Sequence, residues 1–323
     1  MSKDFLTYNQ QMKYLRDKKG IECNGTSNKI ALCKMGYFNL INGYKNPFVS
    51  GMKSGSHIYI KGTSLEQICK VKEFDDSLRM LLLEYITKIE EEIRTLVGYK
   101  FDEANGNGKI GWYNVEAFSP NVSAQDIVKV ISDAYHQVQQ SKQSYIQHYF
   151  DNHKYIPTWI LIKVIKFSTL IELIDISKNS VKDGLCDLFN IYDKSGYRDY
   201  KFLIASLHWM RKVRNSCAHN ERIFGMQRIK GRLVDSKYFS LLSRSYTRER
   251  KQMLIDLLIY MRYYLDDKDY KKLIGTIKGL LIKLEKDINT VAFDKVRADM
   301  GIKRVSDLDI LISTKKKIEY NKF

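Results

Sequence analysis

The residues best suited to chemistry lie between positions 211 and 224, in the stretch RKVRNSCAHNERIF. This stretch holds three arginines, one lysine and one histidine, but a single glutamate. Surface helices usually mix both signs of charge, because like-charged neighbours on a helix repel one another. A cationic stretch tolerates that repulsion when an anion such as a phosphate lies among its arginines. The composition therefore indicates a phosphate-binding site.

The spacing of these residues indicates which reaction such a site would support. At about 100° per residue, a helix over this stretch places Arg211, Asn215, His219 and Arg222 along one face, with Arg214 beside them. Arginine binds phosphate oxygens two at a time, and histidine transfers protons near neutral pH. The asparagine, one turn before the histidine, can orient either the ring or the phosphate. These groups suffice to cleave RNA by attack of the neighbouring 2′-hydroxyl, with no metal or cofactor.

The net charge of +17 is unevenly distributed along the 323 residues. Residues 201–323 contain 28 Lys and Arg against 14 Asp and Glu, a net +14, whereas residues 1–200 contain 26 against 23, a net +3. Such asymmetry is typical of proteins that face a polyanion, most often a nucleic acid. The alternative is a solvated lysine-rich surface. The predicted RNA-binding residues are Arg211, Arg222, Arg228, Lys230 and Arg232.

Helices are expected to position these residues, because apolar side chains recur at three- and four-residue steps through most of the chain. The clearest helix starts at DDSLRMLLLEYITKI, where Asp75 or Asp76 is predicted to cap the first turn. Residues 50–64 are rich in Gly and Ser and predict a loop or a small hairpin. The fold class is therefore predicted as all-α, with helices over 5–19, 27–45, 75–101, 123–150, 157–177 and 199–224, and with one long helix or two over 247–289.

Composition also excludes several classes of protein. No apolar run approaches the length that spans a bilayer, and the N-terminus lacks the apolar core of a signal peptide, so a cytoplasmic protein is predicted. The five cysteines are scattered and never form a CxxC pair, which predicts reduced, mostly buried thiols and no zinc knuckle. The spacing of His136, His148 and His153 matches no zinc pattern either.

The motif stretch resembles a known signature. Arg214 to His219 fits the R-x4-6-H motif of HEPN ribonucleases, and the whole run resembles the "RN..AH..RIF" signature of the Abi-like abortive-infection family (AbiD/AbiF type), whose members are HEPN proteins of bacterial phage defence. Lys163 and Ser168 stand where the family usually has glutamate and glycine. Other segments are similar to family blocks in the same order: LTYNQQMKYLRDKKG, GYFNLINGYKNPF, IKGTSLEQICKVKEFDDSLRMLLLEYITKIEEEIRT, IPTWILIKVIKFSTL and ADMGIKRVSDL.

The resemblance implies a HEPN-like helical bundle with helical extensions at both ends. On this basis we divide the chain into an N-terminal helical segment and loop (1–64), a HEPN-like core with the R-x4-H motif (65–235) and a basic C-terminal helical extension (236–323). The resemblance also implies that the protein is a metal-independent endoribonuclease toxin of a phage-defence or toxin–antitoxin system. In that enzyme His219 is the acid or base, Arg214 stabilises the phosphate and Asn215 holds the geometry.

The expected partners are RNA and a second copy of the chain. RNA is the substrate, and a non-coding antitoxin RNA is a second possible ligand. On a regular helix Arg214 and His219 point about 140° apart, and cleavage needs two proton carriers. A homodimer with facing motif helices would supply both.

Two alternatives to this prediction stay open. In one, the protein is a catalytically idle RNA-binding protein whose cationic face holds a structured RNA. In the other, it is a HEPN toxin silenced by a nucleotidyltransferase antitoxin.

Outside the motif, Glu90 and Arg94 are one helical turn apart and are predicted to form a packed ion pair.

Overall fold

A computed structural model of the protein describes residues 5–153, 155–227 and 252–315. These residues form α-helices and one small two-stranded hairpin, so the predicted all-α class is confirmed. In chain order the α-helices are α1 (Tyr8–Lys19), α2 (Gly25–Met35), α3 (Leu65–Ala104), α4 (Ala124–Gln140), α5 (Ser144–His153), α6 (Thr158–Val164), α7 (Phe167–Ile176), α8 (Asn179–Phe189), α9 (Tyr200–Ala218), α10 (Leu254–Met261), α11 (Asp267–Asp287), α12 (Thr290–Met300) and α13 (Asp307–Ser313).

The hairpin and several short turns lie between these helices. Strands β1 (Val49–Lys53) and β2 (Ser56–Tyr59) pair antiparallel, which confirms the hairpin predicted within 50–64. A π-helical segment (Phe38–Asn42) and two 3-10 turns (Asn46–Phe48 and Val115–Ala117) complete the regular structure. Helix α2 ends at Gly36, whose φ of +74° suits glycine. The predicted continuous helix over 27–45 is therefore wrong.

Helix α3 is the longest described element and the centre of the fold. Its 40 residues pack against α6, α8 and α9 and against α11. The side chain of Ser64 caps its start by accepting a hydrogen bond from the backbone N–H of Gln67. The predicted cap at Asp75 or Asp76 is therefore wrong by eleven or twelve residues. The helix includes them because the apolar face already begins at Leu65 and Ile68, which are buried.

Two predicted helices are each split into two. Residues 123–150 hold α4 and the start of α5, and residues 157–177 hold α6 and α7. The described part of 247–289 holds α10 and α11, in agreement with the second of the two predicted alternatives. The break between α6 and α7 has an identifiable cause. Carbonyl groups at the end of a helix lack an intrahelical partner, and here Arg94 donates hydrogen bonds to the carbonyls of Ile162 and Ile165. The backbone N–H of Lys166 donates to Gln137 Oε1 at 2.5 Å.

The predicted burial of most cysteines is confirmed, since four of the five are buried. Cys33 is the exposed one. None of the described helices is both long enough and apolar enough to cross a membrane.

Candidate functional site

Helix α9 carries the first part of the motif and ends inside it. Asp199 caps its start by accepting a hydrogen bond from the backbone N–H of Phe202 at 2.9 Å. Met210, Val213 and Cys217 are buried, as the amphipathic pattern predicts. The helix ends at Ala218, so the predicted helical conformation of 219–224 is wrong.

A Schellman arrangement ends the helix. Asn220 adopts a left-handed conformation with φ of +56°, which asparagine tolerates better than most residues. Its N–H donates to Cys217 O at 3.3 Å, and the N–H of Glu221 donates to Ser216 O at 3.0 Å. The Ser216 hydroxyl also donates to Glu221 Oε2 at 2.5 Å. His219 is consequently the last residue before the turn, and the 100° rule no longer fixes its direction relative to Arg214.

Four of the five predicted site residues that the structure describes come together in one pocket of about 550 Å³. One wall is formed by α9 and its end, and the other by α3 and the α6–α7 junction (163–168). Within one chain, the arginine and the histidine of the motif therefore face the same space, which corrects the expectation that their side chains diverge. The predicted residues that line this pocket are Arg211, Arg214, Asn215 and His219.

The pocket is strongly cationic. Its lining contains Arg94, Lys163, Lys166, Arg211 and Arg214 against one carboxylate, Glu90. The Nε atom of Arg211 is buried and makes no hydrogen bond with any of the described residues. A buried donor without a partner costs free energy, and a phosphate oxygen would satisfy it. The pocket therefore has the charge and the donors that an anion requires.

Glu90 links the two walls of this pocket. Its buried carboxylate accepts hydrogen bonds from Arg94 Nε at 3.1 Å and Nη2 at 2.5 Å, which confirms the predicted ion pair. The second carboxylate oxygen lies 3.4 Å from Arg214 Nε, without a hydrogen bond at either atom. Arg214 Nη1 also donates to Asn215 Oδ1 at 3.2 Å. Glu90 thus holds Arg214 in place, a role that its i, i+4 spacing to Arg94 does not predict.

Arg222 occupies a different place from the one predicted. Because the helix has ended, Arg222 does not join the face formed by Arg211 and Asn215. It donates a hydrogen bond to Gly43 O at 2.9 Å, and its guanidinium lies 5.3 Å from the ring centre of Phe224. It lines a second pocket, of about 850 Å³, which also includes His219.

A buried carboxylate fixes the segment that follows His219. Asp75, in the first third of α3, accepts hydrogen bonds from the N–H of Phe224 at 2.9 Å and of Ile223 at 3.2 Å. It also accepts from Tyr44 Oη at 2.9 Å and from Arg79 Nη1 at 3.0 Å. Burial raises the pKa of Asp75, while these hydrogen bonds and the Arg79 charge act in the opposite direction. Sequence patterns suggest only a helix cap at this position, so its contact with the motif loop is a further finding.

The remaining predicted RNA-binding residues, Arg228, Lys230 and Arg232, lie outside the described residues. In the part of the chain that the structure describes, no group of three or more His, Cys, Asp or Glu side chains is arranged to hold a metal ion.

Comparison with known proteins identifies one family. A family model described as "Abi-like protein" matches residues 31–225, which is more than half of the chain. The matched range contains α3, the α6–α7 junction and α9, and therefore both walls of the pocket. No curated protein and no solved structure gives a significant match.

Proposed function

Because the chain belongs to the Abi-like protein family, we propose that it is a HEPN-type endoribonuclease of bacterial phage defence. Family membership suggests a role in abortive infection. In this proposal the protein is a cytoplasmic toxin that cleaves RNA, restrained in healthy cells by an RNA or protein antitoxin.

One observation supports the ribonuclease proposal above all others. The motif arginine, asparagine and histidine line one cationic pocket together with Arg211, whose buried Nε makes no hydrogen bond in the part of the chain that the structure describes. A merely structural arginine–histidine motif would not require these side chains to converge on open space. Their convergence is what phosphate binding and proton transfer at one phosphorus atom require.

In the proposed reaction the 2′-oxygen of the RNA attacks the adjacent phosphorus. A 2′-oxygen–phosphorus bond forms, the bond from phosphorus to the 5′-oxygen breaks, and a 2′,3′-cyclic phosphate results. His219 takes the proton of the 2′-hydroxyl or donates one to the leaving 5′-oxygen. Arg214 and Arg211 stabilise the negative charge on the non-bridging oxygens. Asn215 and Glu90 keep Arg214 oriented.

The proposed working unit is a homodimer. The reaction needs one group to accept a proton and another to donate one, and His219 is the single imidazole that lines the described pocket. A second copy related by a two-fold axis would supply another histidine, since an isologous contact repeats every residue.

Metal-independent cleavage is the test of the ribonuclease proposal. The purified protein, freed of bound RNA, should cut RNA in EDTA and leave 2′,3′-cyclic phosphate ends. His219→Ala should abolish cutting and growth toxicity, whereas His136→Ala, at an exposed position of α4, should change neither. Cutting that persists in His219→Ala contradicts the assignment. RNA that is bound but never cut supports the idle RNA-binding alternative.

Concentration dependence is the test of the dimer. Specific activity should rise with the dimer fraction measured by light scattering. Because a dimer that contains one His219→Ala chain has a single histidine, adding an excess of His219→Ala chains to the wild type should lower its activity as mixed dimers form. Full activity from dilute, monomeric wild-type protein contradicts a shared site.

A further inference from the structure

A second pocket, of about 850 Å³, lies on the other side of His219. The π-helical segment Phe38–Asn42 forms one wall, α3 forms another, and the loop after α9 closes it. His219 lines this pocket as well as the motif pocket. A chain of nucleotides whose phosphate sits in the motif pocket could therefore extend past His219 into this space.

An exposed aromatic ring stands at the second pocket. Phe38 is 73% exposed, although a phenyl ring is usually placed in the core. It begins the π-helical segment, and π-helical turns are rare and occur frequently at functional sites. The following residues Leu40 and Ile41 are buried, so the segment is anchored to the core while Phe38 faces outwards.

Amide and cationic side chains surround this ring. The pocket includes the amides of Asn39, Asn42 and Asn220. Its charged residues are four cations (Lys34, Lys72, Arg79 and Arg222) and two carboxylates (Asp76 and Glu221), a net charge of +2. Single-stranded RNA is recognised by aromatic stacking, by amides that bind base edges and by cations that bind the backbone. All three kinds of group occur here, and the volume is in the range of small-ligand sites.

We propose that this pocket binds the nucleotide adjacent to the cleaved phosphate, with its base stacked on Phe38. The inference rests on the proposed function, because it takes the motif pocket as the phosphate site. The substrate is then single-stranded RNA or an unpaired loop, since a base within a duplex cannot reach the ring. Phe38 contributes to substrate binding and takes no part in proton transfer.

Binding of a non-cleavable RNA tests the proposal separately from catalysis. A labelled 2′-O-methyl decamer keeps the bases and phosphates but lacks the attacking hydroxyl, and its affinity is measured by fluorescence anisotropy. Phe38→Leu, which keeps an apolar side chain, should weaken binding roughly tenfold. Phe38→Tyr should restore it. Tyr197→Leu is the matched control, because Tyr197 is also 73% exposed but does not line either pocket.

Salt titration separates stacking from charge. The dependence of affinity on salt should be the same in Phe38→Leu as in the wild type, because no cation is lost, whereas Lys34→Gln should reduce it. Equal affinity of Phe38→Leu and Tyr197→Leu, or no binding of the decamer by the wild type, overturns the proposal. If the decamer binds through Phe38 but unmodified RNA is never cut, the nucleotide site stands and the ribonuclease proposal fails. If RNA is cut and Phe38→Leu changes nothing, only the nucleotide site fails.

Discussion

Replacing Asp75 with asparagine tests whether this carboxylate holds the loop after His219. The side chain is buried and accepts hydrogen bonds from the backbone N–H groups of residues 223 and 224, from Tyr44 and from Arg79. An asparagine presents one acceptor and one NH₂ donor. Whichever way the amide is turned, its NH₂ group faces either the backbone donors or Arg79. One buried donor contact is therefore repulsive, and Arg79 loses the buried one of the two carboxylates with which it pairs.

The expected loss of stability follows from burial. Breaking a buried ion pair by removing one partner costs about 3–5 kcal/mol. The same substitution at the adjacent Asp76, whose side chain is 39% exposed and pairs with Lys72 and Arg79, should cost about 0–1 kcal/mol. At about 2.1 cal/mol/K per residue, 323 residues give an unfolding entropy of about 0.7 kcal/mol/K, so a loss of about 4 kcal/mol lowers Tm by about 6 °C.

Thermal unfolding followed by circular dichroism measures this difference, with Asp76→Asn as the matched control. RNA cleavage is then assayed well below both Tm values, where each variant is folded. We expect Asp75→Asn to cleave at least roughly tenfold more slowly, since a loosened loop misplaces His219, and Asp76→Asn to retain most of its activity. Equal Tm values for the two variants would refute the argument from burial. Full activity in a destabilised Asp75→Asn would refute the link to His219.

Further predictions concern the pocket, the thiols and the basic C-terminal part. Glu90→Gln should keep or increase RNA affinity, because it removes a negative charge from the pocket. Cleavage should fall roughly 10- to 100-fold, because Arg214 loses its charged partner. Separate measurements of Kd and kcat check this prediction, and an unchanged kcat contradicts it. Burial raises the pKa of Cys217 to about 12, so at pH 8 only the exposed Cys33 should react quickly with Ellman's reagent in the native protein. Because of this raised pKa, the Cys217 thiol ionises at lower pH in the unfolded chain than in the folded protein. The free energy of unfolding should therefore fall as pH rises from about 9 towards 12, by about 1.4 kcal/mol per pH unit for this thiol. A Tm that is constant from pH 8 to 10 argues against this prediction. RNA affinity should decrease steeply as the salt concentration rises. Reversing the charges of Arg228, Lys230 and Arg232 should weaken RNA binding and leave the cleavage rate of bound RNA unchanged.

Local spacing alone determined the helical class and much of the core of this protein. The three- and four-residue recurrence of apolar side chains correctly predicts that Met210, Val213 and Cys217 of α9 are buried. In α3 it correctly predicts the burial of Leu78, Leu82, Tyr85, Ile89 and Ile93, whereas Leu96 is only partly buried and Arg79, expected on the solvent side, is buried. It succeeds because the side chains that share one face of a helix are close in sequence. The same information predicted the Glu90–Arg94 ion pair, whose partners are one turn apart.

Local spacing failed where short breaks or distant partners decide the conformation. The end of α9 at Ala218 depends on a single left-handed residue, Asn220, without the glycine that usually marks such a turn. The break between α6 and α7 depends on Arg94, which belongs to another helix. The spacing of apolar residues within 199–224 does not indicate the turn at Asn220, and the spacing within 157–177 does not indicate the contact with Arg94.

Only the tertiary structure brought the site together. Asp75 contacts a backbone group 148 positions away along the chain, and Glu90 reaches Arg214 from the opposite wall of the pocket. A sequence pattern describes which residues share a face of one helix, but it does not describe which faces of different helices meet. That is decided by the packing of α3, α9 and the α6–α7 junction, because the free energy of these ion pairs and hydrogen bonds depends on distances that exist only in the folded chain.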